Sequence, residues 1–496
     1  MCICLTAADA YTINTPINEI LRDHLSKGPY GLGCCLRERV RMRTITEVPR
    51  SIPVLAEVDV LVVGGGPSGL AAAIAAAREG MDTMLLDRYG CFGGVISQVG
   101  VEPIAWYRHE NTVEAGGICT EIEQTAKSLG ATSKEVQSDS EAIDAEMFKY
   151  VCDRLVTDVG VQAILHCYAV STIADDNTVV GVVTESKSGR NAIIAKRTID
   201  CTGDGDVAAF AGVPYYKAPK DELMAVTQMF SCRGVDKAEF EDYVYNVLKP
   251  TYRDWGGESW GQETLDNGLS LFSPYMEEAF IQAQKDGCIP KEEGISIGGT
   301  WSTVSEEGDI TQLNMVFIRN IDCTNVHDLT WAEMKGREHA IYAIKALNKY
   351  VPGFQKARLR NFGMTLGTRE SRRIEGHYFL TEHDVKNQAQ FDDSIGIFPE
   401  FIDGRGMIIL PLTGRYFQVP YRALVPKNRE NLLVAGRAIS GDQIAHCAYR
   451  NISCCILTGQ AAGVAAAVSI KNSEVSSQVN ITDVQGSLLK QGVRIK

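Results

Sequence analysis

Hydrophobic positions along the chain change spacing from segment to segment. Residues 58–63 read VDVLVV, a short β-branched run typical of a strand buried on both faces. Glycines at 64, 66 and 69 follow, and an alanine-rich stretch runs to about Arg78 before Gly80 closes it. A second apolar run at 83–86 ends in Asp87. Strand, glycine loop, helix and strand in that order predict a βαβ unit over 57–90. Further on, 161–170 predicts a strand, and 178–186 with 192–198 predicts a hairpin turning at Ser188, Gly189 and Arg190. The strand pattern continues into Thr202, Gly203 and Asp204. Near the end, 432–435 is another buried run, closed by Gly436 and Arg437, and 452–468 predicts a helix of small residues.

Helical spacing marks three more segments. In 12–28, Thr15 caps, Pro16 opens, and Ile17, Ile20, Leu21 and Leu25 share a face. That face must be buried on the chain's own body or on a second copy, so a homo-oligomer stays open. A long amphipathic helix is expected at 329–350, and a docked C-terminal helix with Val484, Leu488 and Leu489 on one face. The region 216–425 mixes such helices with strands at 313–318 and 407–412, and holds four of the five tryptophans.

Composition narrows the class. The chain has 496 residues, with 49 Lys and Arg against 62 Asp and Glu, a net charge of −13. At ~150 residues per domain, two or three units are expected. An acidic balance argues against nucleic acid or an anionic membrane as the main partner. No C-x-x-C spacing occurs among the fifteen cysteines, so neither a zinc ribbon nor a dithiol centre is expected, and no metal site. The first residues lack a signal-like pattern, and no run of about 18 apolar residues is evident. These features predict a cytoplasmic protein with reduced thiols and no membrane span.

The glycine loop carries the chemistry. Gly64 permits a tight turn, Gly66 lets backbone approach a pyrophosphate, and Gly69 lets helix and strand pack closely. The helix N-terminus offers N–H groups and a positive dipole end to phosphate. Asp87 stands 23 residues after the first glycine, placed to accept hydrogen bonds from ribose hydroxyls. No second unit of this kind appears: GGESWG (256–261) and GISIGGT (294–300) lack the flanking strand and helix. Should the loop hold a redox dinucleotide, its electron acceptor or donor is left open: oxygen, a quinone, a carrier protein or a transiently bound nucleotide.

The segments VDVLVVGGGPSGLAAA, DRYGCFGG, IDCTGDGDVA, TRESRRIEGHYFLTEHDV and NLLVAGRAIS through GQAAGVAAA resemble a bacterial FAD-dependent oxidoreductase family. That family has a glutathione-reductase-type FAD domain and is related to fumarate reductase and thiazole-synthase flavoproteins. The resemblance implies an α/β fold: a discontinuous, three-layer ββα, Rossmann-like FAD-binding domain with an inserted α+β substrate domain. The implied organisation is an N-terminal helix and arm at 1–50, the FAD domain at 51–215 with 426–470, the substrate domain at 216–425, and a docked helix at 471–496. It implies FAD as cofactor, with Gly64, Gly66, Pro67, Ser68 and Gly69 on the pyrophosphate and Asp87 and Arg88 at the adenosine ribose. Gly93, Gly94 and Val95 belong beside the ribityl chain or flavin, and the Val170 backbone at the adenine edge. Thr202 and Gly203 fall along the ADP half, and Gly436 and Arg437 near the ribityl or pyrophosphate. Asn451 and Ile452 present a helix N-terminus to the flavin.

Candidate catalytic residues come from three places. His446 lies just before the last long helix and suits proton movement at neutral pH, or is a histidine bonded to backbone. Trp106, Tyr107, Arg108 and His109 form either a stacking and acid–base wall or a surface patch. Arg369, with Arg372 and Arg373, offers guanidinium groups for an acidic substrate, or local ion pairs with Glu370 and Glu375. The cysteines at 91, 454 and 455 read as packing thiols. The expected activity is hydride transfer between a small polar metabolite and flavin N5. The alternatives are net non-redox flavin chemistry, as in an isomerase or dehydratase, and a non-catalytic flavoprotein subunit.

Overall fold

The strand Val54–Val63 is buried where its valines cluster, at Val58 and Val60–Val63, and exposed at its start. In the computed structural model, residues 45–104, 108, 112–136, 138–252, 261–262, 271–411 and 414–496 are described. The expected helix at 12–28 and most of the arm after it lie outside these residues. The chain divides into Met1–Ser51 and Ile52–Lys496. Of the first unit, residues 45–51 carry no regular secondary structure.

The second unit is organised on a seven-stranded sheet. Its order is Gln162–Ile164, Thr83–Leu86, Val54–Val63, Gly189–Asp200, Thr178–Ser186 and Tyr168–Asp175, with Leu432–Val434 also paired to Gly189–Asp200. Gly189–Asp200 uses one edge twice. Its first half pairs antiparallel with Thr178–Ser186, and Thr198 to Asp200 pair parallel with Leu432–Val434. Its other edge runs parallel to Val54–Val63, and the carboxyl ends of the parallel strands finish together. This is the Rossmann-like arrangement expected, with an antiparallel hairpin built into the same sheet.

Three local expectations change. The strand expected at 161–170 is two strands, because His166 adopts φ 55 and breaks the ladder. There, the backbone N–H groups of His166 and Cys167 donate to the carbonyls of Tyr89 and Asp87. The hairpin turns one residue earlier than expected: Ser186 pairs with Gly189, whose φ is +99. In the C-terminal helix Ile481–Lys490, Val484 and Leu488 are buried, whereas Leu489 is rotated off that face and exposed.

The helix Pro67–Arg78 packs against Ile452–Lys471 at very short range. A Cβ at Gly459 would stand 2.0 Å from the Ser68 carbonyl oxygen, and one at Gly463 2.2 Å from that of Ala72. Ile452–Lys471 does carry an 18-residue window apolar enough to cross a bilayer, with mean hydropathy 1.6, which corrects the sequence expectation. That window is 94% buried within the protein, so its apolar surface serves the core.

A second, antiparallel sheet has the order Tyr275–Met276, Ile295–Thr300, Ile310–Ile318, Val226–Arg233 and Arg358–Phe362. The helix Val326–Tyr350 covers one face and starts earlier than expected, where Asn325 accepts from the N–H groups of His327 and Asp328. Phe230, Phe240, Phe280, Trp301 and Phe354 fill this core. Trp301 thus packs in the core, Trp331 is partly exposed, and Trp255 and Trp260 lie outside the described residues. Leu380, Val385, Ile395, Phe398, Phe401 and Phe417 are buried in the same core as Pro67–Arg78 and Ile452–Lys471.

Candidate active site

The two sheets face each other across a cavity of about 330 Å³ at the carboxyl ends of the parallel strands. Open α/β sheets bind ligands at this edge, where the strand ends and helix starts leave backbone groups unpaired. Pro67–Arg78 begins at the cavity with Gly66 as its N-cap and no acidic residue in its first turn. Gly64 has φ +102, and a Cβ there would stand 2.4 Å from the Cys201 carbonyl oxygen, so this turn requires glycine. At Gly69 a Cβ would be 1.7 Å from the Gly64 carbonyl oxygen, which fixes a packing role. Gly66 differs: the nearest atom to a Cβ there is 3.7 Å away, so its missing side chain is room left in the cavity.

The acid after the second strand is engaged by backbone. Asp87 Oδ2 accepts from the Gly65 N–H at 2.6 Å, and Oδ1 from the Tyr89 N–H at 2.8 Å. Asp87 lines the cavity, and its burial raises its pKa against the lowering effect of those two bonds. Arg88 lies 4.9 Å from the Tyr89 ring centre and 5.9 Å from that of Tyr168. Gly94 and Val95 line the cavity, while Gly93 sits behind it and donates to the Gly65 carbonyl at 2.8 Å. Val170 does not line the cavity; Tyr168 and Ala169, earlier on the same strand, do.

Thr202 is held by Asp200, which sequence reasoning missed. Asp200 Oδ1 accepts from the Thr202 N–H at 3.0 Å and from its hydroxyl at 2.7 Å, and Oδ2 accepts from the Ala208 N–H at 2.9 Å. Burial pushes its pKa up to about 6. Arg437 lies against Gly203 and donates to Asp204 at 3.2 Å. The Gly436 N–H donates to the Thr458 hydroxyl at 3.0 Å, joining the last strand to the second helix. That helix opens onto the cavity at Asn451 and Ile452. The Asn451 amide turns back to the carbonyls of Cys447 and Ala448, so no side chain caps the N-terminus, and its first turn holds no acid.

Of the candidate catalytic residues, Arg369 lines the cavity. Its Nη1 donates to the Ala225 carbonyl at 2.7 Å and to the Thr227 hydroxyl at 2.5 Å. Burial, with Arg450 beside it, pushes its pKa down to about 10, so it stays charged at neutral pH. His446 is fully buried behind the wall, not on it, and neither ring nitrogen has a hydrogen-bond partner among the described residues. Burial, then the charges of Arg373, Arg450, Arg437 and Arg405, hold it well below the usual histidine range, so it is neutral. Placement so close to the helix start suggested reach to the cavity, but the ring is buried edge-on against Tyr449, centroids 5.4 Å apart. His109, with Trp106 and Tyr107, lies outside the described residues. Arg108 is paired with Glu114 and Glu123, both at 2.5 Å, and does not line the cavity. Arg372 is drawn off to Asp206 at 2.8 Å, and Arg373 is buried beside Glu370. Cys455 lines the cavity, with burial pushing its thiol up to about 12.

The remaining wall was not expected from sequence. It consists of Thr227, Met229, Thr300, Gln312 and Asn314 on the antiparallel sheet, and Asp403 and Arg450 beyond it. The one signal available was the pair of polar residues two apart within the apolar run ITQLNMVFI.

Residues 59–488 match the family model described as FAD dependent oxidoreductase. Among curated proteins, digeranylgeranylglycerophospholipid reductase 1 of Methanopyrus kandleri is 32% identical over 160 residues, covering 30% of this chain and 40% of that protein. The thiamine thiazole synthase of Methanococcus vannielii is 31% identical over 159 residues, covering 30% and 57%. The chain thus aligns with roughly half the length of these relatives. A geranylgeranyl bacteriochlorophyll reductase-like protein from Thermoplasma acidophilum, of known structure, has a TM-score of 0.44 at 14% identity, over 88% of this chain and 82% of that one. The family model spans most of the sequence, from the glycine loop to the C-terminal helix, and the chain belongs to the FAD dependent oxidoreductase family.

Proposed function

We infer that the chain is an FAD-dependent enzyme that passes two electrons between its cofactor and a small polar substrate bound on the facing sheet. The observation that carries this reading is the convergence of two uncapped, acid-free helix N-termini on one cavity. The residues fit FAD: Gly66 leaves a cradle that a side chain would fill, and both dipoles favour anionic groups. Gly64, Gly66, Pro67 and Ser68 would hold the pyrophosphate, with Gly69 keeping helix and loop together. Asp87, Arg88, Thr202 and Gly203 would flank the adenosine half. Gly94, Val95, Gly436 and Arg437 would lie along the ribityl chain, with Gly93 buttressing the loop. Asn451 and Ile452 would end the helix at the flavin. When bound, FAD supplies a ring that accepts or releases a hydride.

The chain's own part is to hold and orient. Arg369 would grip the substrate, and the apolar helix pair would keep water from the cofactor side. His446, neutral and buried, would hold the arginines around it apart and touch no substrate. The described cysteines are all free and ten of eleven are buried, which supports a reducing, cytoplasmic setting. Gly66→Val tests the cofactor site. Gly66 has φ −73, so valine fits the backbone and only fills the cavity. The variant is expected to fold and purify colourless; a yellow, flavin-replete variant sinks the assignment.

A further inference from the structure

Across from the glycine loop, the cavity is closed by one face of the antiparallel sheet. Thr227 and Met229 on one strand and Gln312 and Asn314 on its neighbour all line this side of the cavity. The residues between and around them, such as Leu313, Met315 and Val316, are buried and apolar. Amides placed there are unfavourable unless something bonds them. Gln312 also holds φ 50, a conformation in which a non-glycine residue is strained. Its Oε1 accepts from the Glu102 N–H at 2.6 Å, which leaves its amide N–H groups for the cavity. Asn314 Oδ1 is buried with no hydrogen-bond partner among the described residues.

Two guanidinium groups meet this wall. Arg369 spends Nη1 on Ala225 and Thr227 and lies over the Phe317 ring at 5.3 Å, which fixes its plane. No partner for its Nε or Nη2 is found among the described residues. Arg450 spends Nη2 on the Asp403 carbonyl at 2.6 Å and carboxylate at 3.0 Å, and its buried Nε has no partner among the described residues. Two cations and Asp403 leave one net positive charge, which one carboxylate neutralises. A phosphate dianion would overshoot it.

We propose that this wall binds a small hydroxylated carboxylate, its carboxylate on Arg369 and Arg450 and its hydroxyl groups on Gln312 and Asn314. The proposal rests on the reading of the opposite wall as the FAD site. The planar fork of Arg suits a carboxylate, and the amides discriminate by being left unpaired when a hydroxyl is missing.

The test titrates the flavin-containing protein, at constant ionic strength, with D-gluconate, acetate, D-sorbitol and glycerol 3-phosphate, following the flavin absorption band. Gluconate is expected to bind at least tenfold more tightly than sorbitol, and more tightly than acetate or glycerol 3-phosphate. Arg369→Gln should weaken gluconate at least tenfold at unchanged flavin content, with Arg369→Lys in between. Asn314→Leu, which keeps the arginines, should weaken gluconate but leave acetate unchanged, and it decides the matter if the Arg369 variants do not fold. Equal binding of sorbitol, preference for the phosphate, or an unaltered Asn314→Leu protein would overturn the proposal. Wild-type protein that purifies without flavin would overturn the cofactor reading instead. The melting temperature of that protein with gluconate against sorbitol would then still judge the wall.

Discussion

The two walls of the cavity are built from different materials. On the parallel-sheet side most recognising groups are backbone, glycine turns and helix N-termini, and the Asp87 and Asp200 side chains hold the loops through N–H groups. On the antiparallel side they are side chains: Arg369, Arg450, Gln312 and Asn314, held by hydrogen bonds and by an apolar sheet. A wall made of backbone can be damaged by adding atoms. A wall made of side chains is damaged by removing them. The first holds one kind of ligand in a fixed way, and the second can change its ligand with a few substitutions.

The largest effect expected from this contrast is at Gly459, which lies away from the cavity. Valine there puts its Cβ where the Ser68 carbonyl stands, at 2.0 Å, and no flexible side chain is available to yield. The two helices must separate, and both start at the cavity. Overpacking of a tight core costs about 1–3 kcal/mol or more. Here backbone meets backbone, so Gly459→Val is expected to lower the urea midpoint sharply and to lose flavin with it. Gly66→Val, by contrast, should lose flavin while keeping the midpoint of flavin-free wild type. If both behave alike, backbone room at the cavity and in the helix pair cannot be separated.

The same contrast decides what was legible in the sequence. The glycine loop could be read because its parts are neighbours in the chain: strand, turn, helix and Asp87 within 57–90. Gly436, Arg437 and Gly459 could be placed by their local strand–helix pattern. The other wall draws on residues from 227 to 450, and nothing in the sequence brings Thr227 to Arg369 or Asp403 to Arg450. Only the fold does that: paired backbone bonds between Thr227 and Gly367 bring up Arg369, and Asp403 meets Arg450 in an ion pair at 3.0 Å. His446 falls behind the wall for a related reason. Its distance along the chain from Asn451 is short, but one helical turn decides whether a side chain faces the cavity or the core. Val170 stands one residue past Ala169, where this strand leaves the cavity wall.

A middle-sized effect should appear behind the side-chain wall, where Glu102 is buried next to Gln312. Its Oε2 accepts from the Thr311 hydroxyl at 2.5 Å, yet burial pushes its pKa up to about 7 from the ordinary 4.5 of a glutamate. The native state therefore holds a proton that the unfolded chain releases above about 4.5. Its contribution to stability falls as pH rises from about 4.5 to about 7 and is lowest above that. Glu102→Gln removes the charge and keeps the shape. The variant's gain over wild type is expected to grow from pH 5 to pH 8, by on the order of 2 kcal/mol. Urea midpoints at several pH values measure it, and a constant difference across that range would mean that Glu102 is ionised in the fold.

The smallest expected effect is the sharpest test of a wall made of side chains. Thr227 is nearly fully buried, and its hydroxyl accepts one of the Arg369 bonds. Its backbone is fixed separately, by paired bonds with Gly367. Thr227→Val keeps the shape and removes only the acceptor, so Arg369 keeps the Ala225 carbonyl and gains freedom. Orienting hydrogen bonds of this kind contribute about 0.5–1.5 kcal/mol. Gluconate should bind roughly two- to tenfold more weakly, while flavin content and its visible spectrum stay as in wild type. If flavin is lost as well, the two walls are not independent. If gluconate binding is untouched, Arg369 is oriented by its carbonyl and its packing on Phe317 alone, and the hydroxyl is a bystander.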